Sequence, residues 1–409
     1  MSRVGYGDFL SRMPPRTVAT VVLTGPPVLS DTHDPDMILT PRHGRTCKGR
    51  LQMTTPLGRA EVFCRHFGLR LPILLAPMAG VSAPSLSIAV ANAGGLGSCG
   101  ALLLSPAEIK AWVDDVRAAS NGAFQLNLWI PEPAPPRRNA AQEARVRDFL
   151  GRWGPPVPAD AGDATPPDFG AQCQALLEAA PPIVSSVMGL FPPEFVAAIK
   201  ARGIAWFANI STVAEARAAA AAGADVVVAQ GMEAGGHRGC FDAANAEAQM
   251  VGLFSLLPAV VDAVRIPVVA TGGIADGRGV AAALLLGASA VQIGTGFLRS
   301  PEAGLSPAWA DELATTAPEE TRISRVFSGR AGRSIGTDYV RAATAPDAPR
   351  PAPYPVQRAL TARLRAAGQK AGDVQRMQVW AGQSAAMAQA KPAAEIVREV
   401  WDGTRGLLA

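Results

Sequence analysis

The stretch VVATGGIADGRGVAAALLLGASAVQIGTGF, residues 268–297, decides the fold. It begins with an apolar run at 268–271, continues through an Ala- and Leu-rich helical pattern, and ends with a second apolar run at 290–293. Both runs are continuous rather than alternating, which is typical of parallel strands that are buried on both faces. A glycine-rich turn follows each run. The stretch therefore predicts a strand–helix–strand unit of an α/β fold.

The same alternation of apolar runs and helical segments extends back from this unit to residue 73. The runs predicted to be strands are 73–76, 96–98, 124–129, 183–187, 205–209, 226–230, 268–271 and 290–293. Eight such units within about 230 residues is the number in a TIM barrel. We therefore predict an α/β chain that folds as a (β/α)8 TIM barrel, with a doubly wound open sheet as the competing architecture.

Three parts of the chain exceed a minimal barrel. Residues 1–55 contain Pro, Arg, Thr and Asp without helical or strand periodicity, and we predict a disordered extension in which Met53 is an alternative start. The barrel is placed at 56–300, with a Pro- and Ala-rich insertion after the third strand at 131–170. Residues 301–409 are predicted to form a C-terminal helical segment that caps the barrel.

Composition excludes several classes of function. The net charge of +4 comes from isolated Arg residues, without basic runs interleaved with aromatics, which argues against a nucleic-acid partner. The most apolar window, 279–298, is interrupted by glycines and predicts no membrane span. Five cysteines without a CxxC pair indicate free thiols in a reducing compartment and no metal site, so we expect a cytoplasmic protein.

Glycine turns follow the seventh and eighth predicted strands, at the face where a TIM barrel carries its active site. These turns contain Gly272, Gly273, Gly294 and Thr295. Glycine lets the backbone approach an oxyanion closely, and backbone N–H groups often bind phosphate at this position of the fold. Tight turns without a ligand are the alternative. We predict that both turns hold a phosphate-bearing cofactor.

Two amide side chains, Asn127 and Gln230, stand at strand ends where a core residue would be expected. Their amides are suited to bonding the carbonyl and N–H edge of a heterocycle. The alternative is that they only tie loop backbones together.

One of the four histidines, His237, lies at the end of a predicted strand, behind Gly235 and Gly236. Two others fall in the predicted extension, and His66 precedes the first predicted strand. A neutral imidazole can accept a proton at physiological pH. We therefore predict a catalytic role for His237, against the alternative of a purely structural histidine.

The residues around these positions form motifs that resemble those of the nitronate monooxygenases, formerly called 2-nitropropane dioxygenases. The motifs are LLAPMAGVS (74–82), ANAGGLGSCGA (91–101), FQLNLWIP (124–131), AQGMEAGGHRG (229–239), PVVATGGIADGRG (267–279) and GASAVQIGTGF (287–297). The resemblance covers about residues 70–300. It continues in FSGRAGR (327–333) and WAGQ (380–383), which are similar to C-terminal segments of the class I enzymes.

The resemblance implies a TIM barrel with non-covalent FMN and His237 as the catalytic base. Carried over position by position, eleven residues would bind FMN: Pro77, Met78 and Ala79 along the isoalloxazine ring, Asn127 and Gln230 at its polar atoms, Gly235 and Gly236 in close approach, and Gly272, Gly273, Gly294 and Thr295 at the phosphate.

The implied reaction is oxidation of an alkyl nitronate by O2 to a carbonyl compound and nitrite. A neutral nitroalkane is also a substrate once it has lost its α-proton, and propionate 3-nitronate is a natural substrate that the family suggests. The resemblance is compatible with a homodimer.

Other functions stay open at this point. Since FMN-dependent enoyl-acyl-carrier-protein reductases carry a stretch very similar to 229–239, an NAD(P)H-dependent reductase of enoyl thioesters or quinones is the main alternative. A flavin storage protein and a flavin-free biosynthetic barrel are the others.

Overall fold

The computed structural model describes residues 55–81, 83–134 and 136–409, which belong to one compact unit, Thr54–Ala409. The predicted extension 1–55 lies outside the described residues except for Thr55, which caps the first helix. The strands are β1 Ile73–Leu75, β2 Gly97–Gly100, β3 Phe124–Trp129, β4 Ile183–Val187, β5 Ala205–Ile210, β6 Val226–Gln230, β7 Gly236–His237, β8 Val268–Thr271, β9 Ala290–Ile293, β10 Thr321–Ser324 and β11 Gly332–Ile335.

The α-helices surround the strands and fill the C-terminal segment. They are α1 Pro56–Phe67, α2 Pro84–Ala93, α3 Pro106–Ala119, α4 Ala140–Leu150, α5 Phe169–Ala179, α6 Pro193–Ala201, α7 Val213–Ala221, α8 Leu253–Ala263, α9 Gly277–Leu285, α10 Pro307–Thr315, α11 Asp338–Ala343, α12 Val356–Leu360, α13 Ala362–Ala371 and α14 Ala393–Leu408. None of these described helices is both long and apolar enough to cross a membrane.

Eight parallel strands form the barrel, in the order β1-β9-β8-β6-β5-β4-β3-β2. A parallel bridge between Leu74 and Leu96 brings the two ends of the sheet together, and the Leu75 N–H donates to the Leu96 carbonyl at 2.9 Å. The predicted (β/α)8 TIM barrel is therefore confirmed. The predicted strand ends differ from the observed ones by at most two residues, because a continuous apolar run marks a strand buried on both faces.

Helix α1 closes the amino end of the barrel. The Phe67 ring lies 4.9 Å from that of Phe207 on β5, edge-on, and the Phe63 ring lies 6.2 Å from the same ring. These aromatic side chains pack with inward-facing residues such as Leu74 and Val228. Because this end is filled by apolar side chains, a ligand site is confined to the opposite, carboxyl end of the strands.

The C-terminal segment is mainly helical, as predicted, and it also supplies two strands. β10 pairs with β11, and β11 pairs with β7, both antiparallel, so that Gly332 lies opposite His237. The pairing ties the segment to the loop that follows β6. The last helix, α14, packs against α9 and α2 in the ring of helices around the barrel.

The insertion after β3 contains α4 and a short 3-10 turn at Ala161–Asp163. Arg138 joins the two pieces through ion pairs with Glu143 and Asp163. Val146 and Leu150 of α4 pack with apolar residues of the C-terminal segment. The insertion and the C-terminal segment therefore lie together beside the carboxyl end of the barrel.

Candidate active site

A cleft with an empty volume of about 1540 Å³, including its open mouth, lies at the carboxyl ends of the barrel strands. The cleft brings together every site residue that the sequence predicts: Pro77, Met78, Ala79, Asn127, Gln230, Gly235, Gly236, His237, Gly272, Gly273, Gly294 and Thr295. Their individual roles remain predictions.

His237 is held on β7 between two tryptophans. Its ring centroid lies 4.7 Å from that of Trp129, edge-on, and 4.7 Å from that of Trp380. Nε2 lies 2.7 Å from Oγ of Ser328. Backbone pairing, two ring contacts and a hydrogen bond to Nε2 thus fix the orientation of the imidazole.

The electrostatic surroundings keep His237 neutral. Burial and the nearby guanidinium groups of Arg330 and Arg358 lower its pKa to about 3. A neutral imidazole has a lone pair that can accept a proton, whereas an imidazolium has none. Near pH 7 this side chain is therefore in the form that a general base requires.

Charged side chains are rare in the cleft. Among the described residues that line it, Arg358 is the one with a permanent charge, and neither Asp nor Glu is present. Arg358 lies on the short helix α12 of the C-terminal segment, close enough to His237 to depress the pKa of the imidazole. The cleft therefore favours an anionic ligand beside His237.

Gln230 braces the loop that carries His237. Its Nε2 donates to the His237 carbonyl at 3.1 Å, and its Oε1 accepts from the Gly239 N–H at 2.8 Å. Arg238 reinforces the loop by donating to the carbonyls of Gly231 and Gln230 at 2.7 and 3.0 Å. The amide of Gln230 thus has a structural use in addition to the predicted contact with flavin.

Two asparagines bring amide groups to the cleft. Asn127 Nδ2 donates to Ser185 Oγ at 3.0 Å. Asn209, at the end of β5, has a buried Nδ2 that makes no hydrogen bond within the described chain. A buried donor without a partner, at the wall of a cleft, fits an acceptor atom of a bound ring. Asn209 was not predicted, although it carries the same signal as Asn127, a polar residue within an otherwise apolar strand.

The glycine turns after β8 and β9 leave little room for side chains. Gly272 has φ +111° and Gly273 has φ +70°. A Cβ on Gly272 would lie 3.2 Å from the backbone nitrogen of Ala234 and from the carbonyl oxygen of Gly231. Thr295 begins a 3-10 turn, whose first N–H groups have no partner within the turn. Both turns fit the phosphate of a flavin nucleotide.

The residues after β1 form another wall of the cleft. A Cβ on Gly100 would lie 2.5 Å from the backbone nitrogen of Ala79, so glycine lets the β2 end pack against the 77–79 loop. Met78 packs against apolar residues of both the barrel and the C-terminal segment. This wall is apolar and suits a flat ring.

The WAGQ segment, residues 380–383, spans the cleft from the histidine to the glycine turns. Trp380 contacts the His237 ring, and the Gly382 N–H donates to Thr295 Oγ1 at 3.0 Å. The next residue after the segment, Ser384, donates to the Gly273 carbonyl at 2.6 Å. The WAGQ motif, which is far along the chain from the barrel motifs, therefore forms part of the same site. No group of three or more His, Cys, Asp or Glu in the described ranges is arranged to hold a metal ion.

Comparison with known proteins identifies the family. A family model described as nitronate monooxygenase matches residues 62–403. The nitronate monooxygenase of Paraburkholderia phytofirmans is 37% identical over 339 residues, which cover 81% of this chain and 92% of that protein. That of Pseudomonas aeruginosa is 38% identical over 348 residues, which cover 84% and 99%.

Two solved structures show the same architecture. A nitroalkane oxidase from Streptomyces ansochromogenes aligns with a TM-score of 0.76 at 37% identity, covering 83% of this chain and 98% of that one. FabK from Thermotoga maritima aligns with a TM-score of 0.66 at 26% identity, covering 85% and 96%.

The matched range, residues 62–403, spans the barrel, the glycine turns and most of the C-terminal segment that completes the cleft. The chain is an oxidoreductase that acts on nitronates, and its cofactor class is a flavin. It belongs to the nitronate monooxygenase family.

Proposed function

We propose that the protein binds FMN and uses O2 to oxidise alkyl nitronates to a carbonyl compound and nitrite, with His237 as the base for neutral nitroalkanes. The observation that carries the proposal is the pairing of a neutral His237 with the cation Arg358 in a cleft without carboxylates. A base and a cation at one place are suited to forming and holding an anion.

The cleft residues divide between the two ends of the cofactor. Gly272, Gly273, Gly294 and Thr295 would hold the phosphate through backbone amides. The wall formed by Pro77, Met78 and Ala79, the close approach at Gly235 and Gly236, and the amides of Asn127 and Gln230 would hold the ring. When bound, FMN supplies the redox chemistry, taking electrons from the nitronate and passing them to O2.

His237 acts before the oxidation when the substrate is a neutral nitroalkane. The α C–H bond breaks, the proton goes to Nδ1, and the electron pair stays on the substrate as the nitronate anion. Ser328 Oγ donates to the Arg330 carbonyl at 3.3 Å, so Nε2–H would donate to that Oγ, and Nδ1 would be the unprotonated nitrogen that accepts the proton. The imidazolium that forms lies near two guanidinium groups, and the anion that forms at the same moment offsets that repulsion.

Relatedness favours this reaction over the reductase alternative. The nitroalkane oxidase structure is 37% identical to this chain, against 26% for FabK over a similar share of the chain. The WAGQ segment resembles the class I nitronate monooxygenases and lies outside the stretch that is similar in the reductases. It contacts both His237 and the glycine turns.

The proposal is tested by oxygen uptake and nitrite release with ethyl nitronate, with no reduced nicotinamide present. We expect both to be proportional to the amount of enzyme, and we expect the flavin released on denaturation to have the mass of FMN. A requirement for NADH or NADPH in the same assay would rule the proposal out.

Arg358→Gln is expected to raise the KM for ethyl nitronate by about 10-fold to 100-fold, since a charge-assisted hydrogen bond contributes about 1.5–3 kcal/mol. The KM for neutral nitroethane is expected to change by less than about threefold, because that substrate binds without charge. Steady-state kinetics with both substrates measures the difference. Arg363→Gln, at an exposed position on α13, is the matched control. An equal rise in KM for both substrates would show that Arg358 does not recognise the anion.

A further inference from the structure

A second cavity, which is open to solvent, lies next to the active-site cleft, with an empty volume of about 880 Å³ including its open mouth. Leu102 and Trp129 line both cavities. The other walls come from the insertion at 131–170, from Gln172 and Arg330, and from Tyr354 and Pro355 of the C-terminal segment. Twelve of its fifteen lining residues are apolar or aromatic, and six are prolines. We call this cavity the apolar chamber.

Trp129 is shared by the cleft and the apolar chamber. Its ring lies edge-on 4.7 Å from that of His237 in the cleft and 5.5 Å from that of Tyr354, which lines the chamber. A chain that extends from a substrate atom near His237 and passes Trp129 would therefore enter the chamber.

The chamber walls offer few groups to a polar ligand. Proline has no N–H to donate. The Gln172 amide already donates to the carbonyls of Ala101, Leu102 and Leu104, at 3.1, 3.2 and 2.8 Å. The other two polar residues, Glu132 and Arg330, form an ion pair, and Arg330 lies over the Tyr354 ring. The buried Nε of Arg330 is the one donor of this wall without a hydrogen-bond partner among the described residues.

We propose that the apolar chamber receives the alkyl tail of the substrate while the anionic head lies between His237 and Arg358. The substrate class is then alkyl nitronates whose tails are long enough to pass Trp129. This proposal rests on the proposed function. It implies that the insertion at 131–170 selects substrates by the length of their alkyl chain. The favourable free energy comes from removing methylene groups from water.

The probe is a series of straight-chain alkyl carboxylates, because a carboxylate is planar and carries one negative charge over two oxygens, as a nitronate does. Binding to the flavin-loaded protein is measured by titration calorimetry. We expect the affinity to rise about fourfold for each methylene added once the tail reaches the chamber, which corresponds to about 0.8 kcal/mol per buried methylene.

Two variants locate the effect. Leu102→Trp narrows the passage at the shared wall, and we expect the gain per methylene to disappear. Phe169→Ala removes part of the far wall, and we expect the gain to fall to about twofold or less. Phe254→Ala is the matched control, because Phe254 is a 75% exposed aromatic on α8 that lines neither cavity. We expect this control to keep the wild-type gain.

A wild-type affinity that does not rise with chain length would overturn the proposal, as would a Leu102→Trp variant that keeps the wild-type gain. Turnover of ethyl nitronate separates this failure from that of the proposed function, because its two-carbon chain is too short to depend on the chamber. If ethyl nitronate is oxidised and the affinity for the carboxylates does not change with chain length, only the chamber proposal is wrong. If ethyl nitronate is not oxidised, the proposed function is wrong and the chamber proposal with it.

Discussion

Replacing His237 by Asn is expected to lower kcat/KM for neutral nitroethane by about 10²–10⁴-fold, the usual contribution of a general base. Asparagine keeps a polar side chain of similar size but cannot accept the α-proton. Ethyl nitronate has already lost that proton, so its oxidation should retain much more activity. Oxygen uptake with the two substrates in parallel measures the difference, with His66→Asn at an exposed position as the control. Equal losses with both substrates would assign His237 to substrate positioning instead.

The pH profile provides a second readout for the same residue. A base acts in its unprotonated form, so activity with neutral nitroethane falls only as the pH approaches the pKa of His237. Because burial and the two arginines lower that pKa to about 3, we expect kcat/KM to stay level from pH 7 down to about pH 5. A decline centred near 6.5, the ordinary pKa of histidine, would contradict the depressed pKa.

Gly272→Ala is expected to weaken FMN binding by at least about tenfold. At φ +111° an L side chain is strained, which costs about 1–3 kcal/mol. Its Cβ would also press on Ala234 and Gly231, in the loop that leads to His237. The phosphate turn and the catalytic loop would both shift. Flavin absorbance per chain after gel filtration, followed by titration with FMN, measures the loss.

Gly304→Ala is the control for this prediction. Gly304 also has a positive φ, +64°, but a Cβ there meets nothing within 4 Å and the residue does not line the cleft. We expect the control to lower Tm slightly and to keep full flavin content. Equal flavin content in both variants would show that the turn after β8 does not hold the phosphate.

The barrel and most of the cleft could be predicted because their signals are local. A continuous apolar run such as 226–230 marks a strand buried on both faces, and a polar residue at its end marks the face of the barrel where ligands bind. The glycine turns follow such runs directly, and His237 lies in the loop segment that follows one of them. Their position along the chain was therefore enough to bring them to one place.

The remaining residues of the cleft come from distant parts of the chain. Ser328, Arg358 and Trp380 reach His237 because β11 pairs with β7, a strand of only two residues with no periodic pattern. Arg238 is only 2% exposed and donates to the carbonyls of Gly231 and Gln230. The burial of an arginine depends on which carbonyls converge on it, and this is decided by tertiary packing.

The most direct test of the assignment is the spectrum of the purified protein after anaerobic mixing with ethyl nitronate or, separately, with NADH. If nitronates are the source of electrons, the flavin absorption band will bleach with ethyl nitronate and return when O2 is admitted, while NADH will leave it unchanged on the timescale of turnover. Bleaching by NADH at a catalytic rate, with no response to ethyl nitronate, would contradict the assignment and identify a reductase.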